Sequence, residues 1–214
     1  MTIVIKPASS RSSEQPSVYP TDLFEGLTAE PSERRWWVLY TKVHQEKAIA
    51  RQLCGQRVPY YLPLVEKTSQ WRGRRFVSMI PVFASYVFLY GNEQERVWSL
   101  ATNRVSRVLF VPDVDGLSYD LRQLRQMIAS GAPLTVEKRL ARGDRVRVRH
   151  GPLAGLEGIV LRRNGTSRLL VAVDFLQQGA SVEIDDHVLE PIGRSCLDGK
   201  QETSVLRSGT LASR

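Results

Sequence analysis

The first strong pattern along the chain is Trp36-Trp37-Val38-Leu39-Tyr40, a short aromatic and β-branched run bounded by charges, which predicts a central strand. Between residues 44 and 56 the period lengthens. Ile49, Ala50 and Leu53 then share one face of a helix, His44, Lys47 and Arg51 fall on the opposite face, and Gly55 supplies the stop. Residues 58–65 read as an extended edge strand interrupted by Pro59 and Pro63. Trp71-Arg72-Gly73-Arg74-Arg75-Phe76 places a basic turn between two β-prone flanks, the pattern of a projecting hairpin tip. Residues 82–90 alternate two apolar sets, Val82, Ala84, Tyr86, Phe88 and Phe83, Val87, Leu89, as a strand covered on both faces requires. A short helix over 93–101 and a strand over 105–111 follow. After an Asp115-Gly116 turn, Leu117, Leu121, Leu124 and Ile128 recur at helical spacing until Gly131 and Pro133. The order β-α-β-β-α-β with an extra helix predicts a ferredoxin-like α/β sandwich over 35–133.

Residues 134–141 read as a linker, after which the period becomes that of strands. Arg145-Val146-Arg147-Val148-Arg149 alternates cleanly, 156–161 and 169–175 are strand-like, Asn164-Gly165 marks a hairpin turn, and 182–184 with 188–192 complete about five strands. Five short strands within 142–193 predict a small five-stranded β-barrel, because closure removes the edges of so small a sheet. Residues 1–34, with Ser9-Ser10-Arg11-Ser12-Ser13 and Pro16, Pro20 and Pro31, read as a disordered arm, and residues 194–214 as a disordered tail. The fold class is therefore α+β, with a Src-homology-3-like barrel behind the sandwich.

Charge adds where to look for a partner. The chain of 214 residues has a net charge of +8. Residues 35–133 hold 14 Lys and Arg against 7 Asp and Glu, whereas 134–193 hold 9 against 8, so the excess sits in the sandwich. A polyanion is the expected neighbour of that half. Only Cys54 and Cys196 occur, with no metal-ligand spacing, so neither a metal site, a disulfide framework nor a cofactor is expected. No segment approaches the length of a membrane span, and a cytoplasmic monomer is the expectation.

Two stretches resemble the NusG family of transcription factors. The first comprises Trp36 to Lys42, the helix from Glu46, Tyr61-Leu62-Pro63-Leu64, the basic turn, and Val82-Phe83-Ala84-Ser85-Tyr86-Val87-Phe88, which resembles the family's N-terminal domain. The second is Gly143-Asp144-Arg145-Val146-Arg147-Val148 with Gly151-Pro152-Leu153-Ala154-Gly155-Leu156-Glu157-Gly158-Ile159-Val160, which resembles the KOW motif. Two departures are visible. Phe83-Ala84-Ser85-Tyr86 stands where the family commonly shows Phe-Pro-Gly-Tyr, and Phe175-Leu176-Gln177-Gln178-Gly179 where it shows a Phe-Gly-Arg turn. The Arg-Gly-Arg-Arg tip resembles the specialised RfaH-like antiterminator paralogues more than the housekeeping factor.

The resemblance implies an N-terminal domain that docks on the coiled coil of the RNA polymerase clamp through Tyr40, Phe83, Tyr86 and Phe88. It also implies contact with the displaced non-template DNA strand. From their charge and placement, Lys42, His44, Lys47, Arg51, Trp71, Arg72, Arg74 and Arg75 are the candidates for that contact, since guanidinium groups suit phosphates and an exposed indole offers a stacking plane. The nearly neutral KOW barrel is expected to take a protein partner, by resemblance a ribosomal protein of the small subunit or the termination factor Rho. The glycines of 151–158 are read as permitting a tight loop.

No catalytic residue is expected. His44, His150 and His187 lie in three separate elements with no acid or nucleophile at a recognisable spacing. Two alternatives stay open: a housekeeping NusG-type factor acting with Rho in termination, and an RNA-binding ribosomal or translation protein built on the KOW barrel. A duplex-reading repressor fits less well, since the helix over 117–128 offers only Arg122 and Arg125 to a groove.

Overall fold

The computed structural model describes residues 5–6, 16–25, 33–139, 143–163 and 165–193. Cys196, Asn164 and the tail from 194 lie outside the described residues. In chain order come β1 (Ile5–Lys6), β2 (Val18–Tyr19), β3 (Arg35–Thr41), α1 (Glu46–Gly55), β4 (Tyr60–Tyr61), β5 (Leu64–Trp71), β6 (Arg74–Pro81), β7 (Tyr86–Gly91), α2 (Glu93–Ala101), β8 (Val105–Phe110) and α3 (Val114–Ala129). After them come β9 (Leu134–Glu137), β10 (Arg145–Val148), β11 (Glu157–Arg163), β12 (Thr166–Val173), β13 (Gln178–Glu183) and β14 (Leu189–Gly193).

The first half is a mixed α/β unit built on a sheet of order β2-β4-β7-β3-β8, antiparallel throughout. Its last four members follow the β-α-β-β-α-β connectivity read from the pattern. Side chains alternate across β3, so each face takes its own helices. Leu39 packs with Ile49, Ala50 and Leu53 of α1, whereas Trp36 and Val38 pack with Leu117, Leu121, Leu124 and Met127 of α3. Local signals fix the ends of the helices. Asn92 and Glu95 form a reciprocal capping box at α2, and the Asp113 carboxylate accepts from Gly116 N at 2.8 Å at α3. The Asp115-Gly116 pair is thus the first turn of α3 rather than a turn before it.

Four expectations change. The arm is ordered over 16–25: β2 pairs with β4, Leu23 and Phe24 are buried, and the Phe24 ring lies 5.9 Å from Trp36 and 5.2 Å from Tyr61. Arg125 and Arg122 of α3 donate to the carbonyls of Thr21 (3.0 Å) and Phe24 (3.3 Å). Strand β4 is consequently interior, because β2 covers the side that prolines had suggested was free. The strand expected over 82–90 begins only at Tyr86; residues 82–85 form a loop in which Ser85 takes φ 65°, and Val82 and Phe83 are buried. Finally, part of the expected linker is β9, paired with β13.

The second half is a six-stranded antiparallel sheet of order β14-β10-β11-β12-β13-β9. Three glycines are required by close approach of backbone: a Cβ on Gly143 would lie 2.2 Å from the Val160 carbonyl, one on Gly158 2.3 Å from that of Leu170, and one on Gly179 2.4 Å from that of Val171. The loop over 151–155 turns through Gly151 at φ 95° and Gly155 at φ 83°.

Helix α3 joins the halves. The apolar cluster around Leu121 and Leu124 continues without a break into Val146, Val148, Leu156, Leu169 and Val171. Three polar groups on α3 meet backbone groups of the second half. Gln126 Nε2 donates to Ala154 O (2.9 Å), Gln123 Oε1 accepts from Glu157 N (2.9 Å), and Asp120 Oδ2 accepts from Asp174 N (2.9 Å). Burial in this seam pushes the Asp120 carboxyl up to about 7, with the nearby Asp174 and Asp113 carboxylates adding to the rise and the Asp174 N–H opposing it.

Candidate nucleic-acid interface

Helix α1 is held from below. Glu46 is buried, and its Oε1 accepts from Ser85 N at 2.7 Å, while Thr41 N donates to Ser85 O at 2.8 Å. These bonds tie the start of the helix and the end of β3 to the loop that precedes β7. With Ile49, Ala50 and Leu53 turned into the core, the opposite face is left outward. There Lys42, His44 and Arg51 are exposed and Lys47 is half-buried, and among the described residues none of the four has a carboxylate partner.

A residue that sequence reading missed completes this face. Arg104, just before β8, donates from Nε to Gln52 Oε1 at 3.2 Å and from Nη1 to Gln45 Oε1, both on or beside α1. Its carbonyl accepts from Lys42 N at 2.8 Å, and Lys42 Nζ donates to Asn103 Oδ1 at 2.6 Å. The turns at His44 (φ 58°) and Asn103 (φ 58°) therefore sit against each other. No periodic signal marks Arg104, because its partners lie 52 and 59 residues away.

The hairpin of β5 and β6 stands apart, in a separate three-stranded sheet with β1. Arg72 (φ 49°) and Gly73 (φ 74°) both take the left-handed conformation that a two-residue hairpin turn demands. Trp71 is 63% exposed with the Arg72 guanidinium 4.6 Å above its ring, and Arg74 and Arg75 are exposed. The structure thus groups Lys42, His44, Lys47 and Arg51 on one face and Trp71, Arg72, Arg74 and Arg75 on another element; no hydrogen bond, ion pair or ring contact among the described residues joins the two groups.

The four aromatic candidates also divide. Tyr40 and Tyr86 are cross-strand partners, half-buried, with rings 5.3 Å apart and the Arg107 guanidinium 4.9 Å from Tyr40. Phe83 and Phe88 are 1% and 0% exposed and pack on each other at 6.2 Å. Side chains without accessible surface cannot meet a partner in this conformation, so these two belong to the core. Among the described residues there is no group of three His, Cys, Asp or Glu that could hold a metal ion, and no helix long and apolar enough to cross a membrane. His150 and His187, expected in separate elements, do meet, with rings 6.4 Å apart at a cleft of about 450 Å³ beside the end of α3.

These features define a mixed α/β domain with a held helix, a basic face that has no carboxylate partner among the described residues, and a projecting basic hairpin. Residues 34–119 match the family model for NusG, described as transcription termination factor nusG, so the first half of the chain carries a NusG domain. The match spans the five-stranded sheet from β3 onward, α1, α2, the hairpin and the first turn of α3, and ends before the second sheet. The comparison with curated proteins finds no match. The matched domain supports a role in transcription elongation or termination, and the NusG family implies interaction with RNA polymerase.

Proposed function

We propose that the chain is an elongation and antitermination factor that seats residues 35–133 on the clamp coiled coil of RNA polymerase, touches the displaced non-template strand, and recruits a protein through a KOW barrel over 142–193. The observation that carries this reading is the outward face at α1, where Lys47 and Arg51 on the helix and Lys42 and His44 just before it stand without carboxylate partners among the described residues, on a support anchored by Glu46. Unpaired cations on a rigid support are what phosphate binding uses, and each phosphate neutralised releases counterions. Tyr40 and Tyr86, with Arg107, are the aromatic anchors left at the surface for the polymerase, since buried aromatic and Arg side chains supply most interface energy.

A protein partner for the second sheet is supported by its charge pairing. Arg147 meets Glu157 at 2.5 Å and Arg149 meets Glu190 at 3.3 Å, so these arginines are already engaged. The arginine-rich tip favours an operon-specific, RfaH-like role over the housekeeping one with Rho. Co-purification with core RNA polymerase is the test: wild type is retained and a Tyr40→Ala, Tyr86→Ser variant is lost. Retention on ribosomes or RNA in place of polymerase would give the protein to the translation reading.

A further inference from the structure

The pairing of β5 with β6 places Trp71 opposite Arg74 and Ser69 opposite Phe76, so Trp71, Arg74, Ser69 and Phe76 share one face of the hairpin. Trp71 is 63% exposed and Phe76 47%. They are diagonal neighbours, about 7–8 Å apart across an antiparallel pair. That span is two steps of a stacked strand, whose bases rise about 3.4 Å each. Aromatic side chains this exposed do nothing for the core, and no hydrogen bond or ring contact among the described residues ties 71–77 to anything outside the hairpin. Around them stand Lys67, Arg72, Arg74 and Arg75, while Glu66 is the only acid between 64 and 81. None of the four cations has a carboxylate partner among the described residues. Arg72 covers the Trp71 ring, and Arg75 reaches only Thr68 Oγ1 at 3.5 Å.

We infer that this face of the hairpin is a two-ring stacking platform for unpaired bases of a single-stranded nucleic acid, with Phe76 as a second platform beside Trp71. The inference rests on the nucleic-acid reading above and adds the mode of contact. Trp71 and Phe76 each take the face of a base, while Arg74 and Lys67 hold the backbone beside them and Arg72 stacks from the turn. Stacking tolerates any base because every base has a π face, so the platform binds without sequence preference. It does not read the sugar, so DNA and RNA single strands bind alike.

The test titrates the full chain with oligo-dT and oligo-rU of ten nucleotides and follows fluorescence anisotropy at two salt concentrations. A Trp71→Ala, Phe76→Ala variant is expected to bind both at least tenfold more weakly with an unchanged salt slope, and Trp71→Phe to recover most of the loss while Trp71→Leu does not. Circular dichroism and thermal melting check that the fold is intact in each variant. Wild-type affinity in the double variant, or full recovery by Trp71→Leu, overturns the platform. So does a wild-type chain that binds neither oligonucleotide. A Lys47→Glu, Arg51→Glu variant run alongside separates the readings: weakened binding there with an unaffected hairpin variant keeps the DNA-tracking face and removes the platform. Loss of polymerase retention with unchanged oligonucleotide binding in the hairpin variant makes the hairpin a protein contact and also overturns it.

Discussion

Helix α3 and the β5–β6 hairpin are neighbours in the same half of the chain and have opposite surfaces. Along α3, Leu117, Leu121, Leu124 and Met127 are buried, and the polar groups that flank them, Asp120, Gln123 and Gln126, each meet a backbone group of the second half, in β11 or in the loops beside its strands. The hairpin tip buries nothing and pairs none of its cations with a carboxylate among the described residues. Polar groups that leave water must be matched, because an unmatched one costs about 1–3 kcal/mol. The seam meets that requirement with backbone partners inside the molecule. The tip keeps its polar groups in water, where no such matching is needed, and so remains available to a partner from outside. Burial and pairing together therefore separate the residues that hold this protein together from those that can bind something else.

The sharpest break in that contrast is Leu124→Ala. Its side chain is fully buried between the sheets, so the substitution should lower stability by about 2–5 kcal/mol through lost burial and the cavity left behind. Thermal denaturation reads this directly, and an unchanged melting point would remove α3 from the core. A next largest effect is expected from pH. Asp120 holds its proton up to about pH 7 in the folded chain but only to about pH 4 unfolded, so its contribution is fully present below pH 4 and is lost as pH rises to 7. Asp120→Asn should flatten that slope and leave the protein more stable than wild type at pH 8 by about 1–3 kcal/mol. Melting curves from pH 4 to 8 decide it, and an identical slope in the variant would show that the carboxyl stays ionised in the seam. Gln126→Ala should cost less, about 0.5–1.5 kcal/mol for one hydrogen bond. Trp71→Ala should sit at the bottom, within about 0.5 kcal/mol of wild type, because the ring is 63% exposed and Arg72 makes its one ring contact among the described residues.

What the chain's pattern made legible was whatever is decided locally. The run from Trp36 to Tyr40, the helix ending at Gly55, and the Arg72-Gly73 turn each rest on a few consecutive residues, and each is present. Features decided by distant partners were not legible. Leu23 and Phe24 sit among prolines and serines without periodicity, and only Trp36, Tyr61 and Arg125 give them a place. Residues 134–137 become a strand because β13 presents an edge to them. Phe83 and Tyr86 look alike in sequence, yet the left-handed Ser85 between them turns one into the core and leaves the other at the surface. At the candidate site, the basic residues on α1 could be named from helical spacing, whereas Arg104 could not.

The strap over 16–25 also sets an order of events during synthesis. Phe24 emerges from the ribosome early, but the Arg122 side chain that holds its carbonyl follows 98 residues later, and the Arg125 side chain that bonds Thr21 follows that residue by 104. A chain elongating at about 5–20 residues per second needs roughly 5–20 s to cover that distance. Until then the ring of Phe24 and the Trp36 surface it covers lack their full set of partners. Completion of the first half therefore waits for α3, and a chain cut short before that helix exposes the aromatic pair to whatever chaperone or protease is nearby.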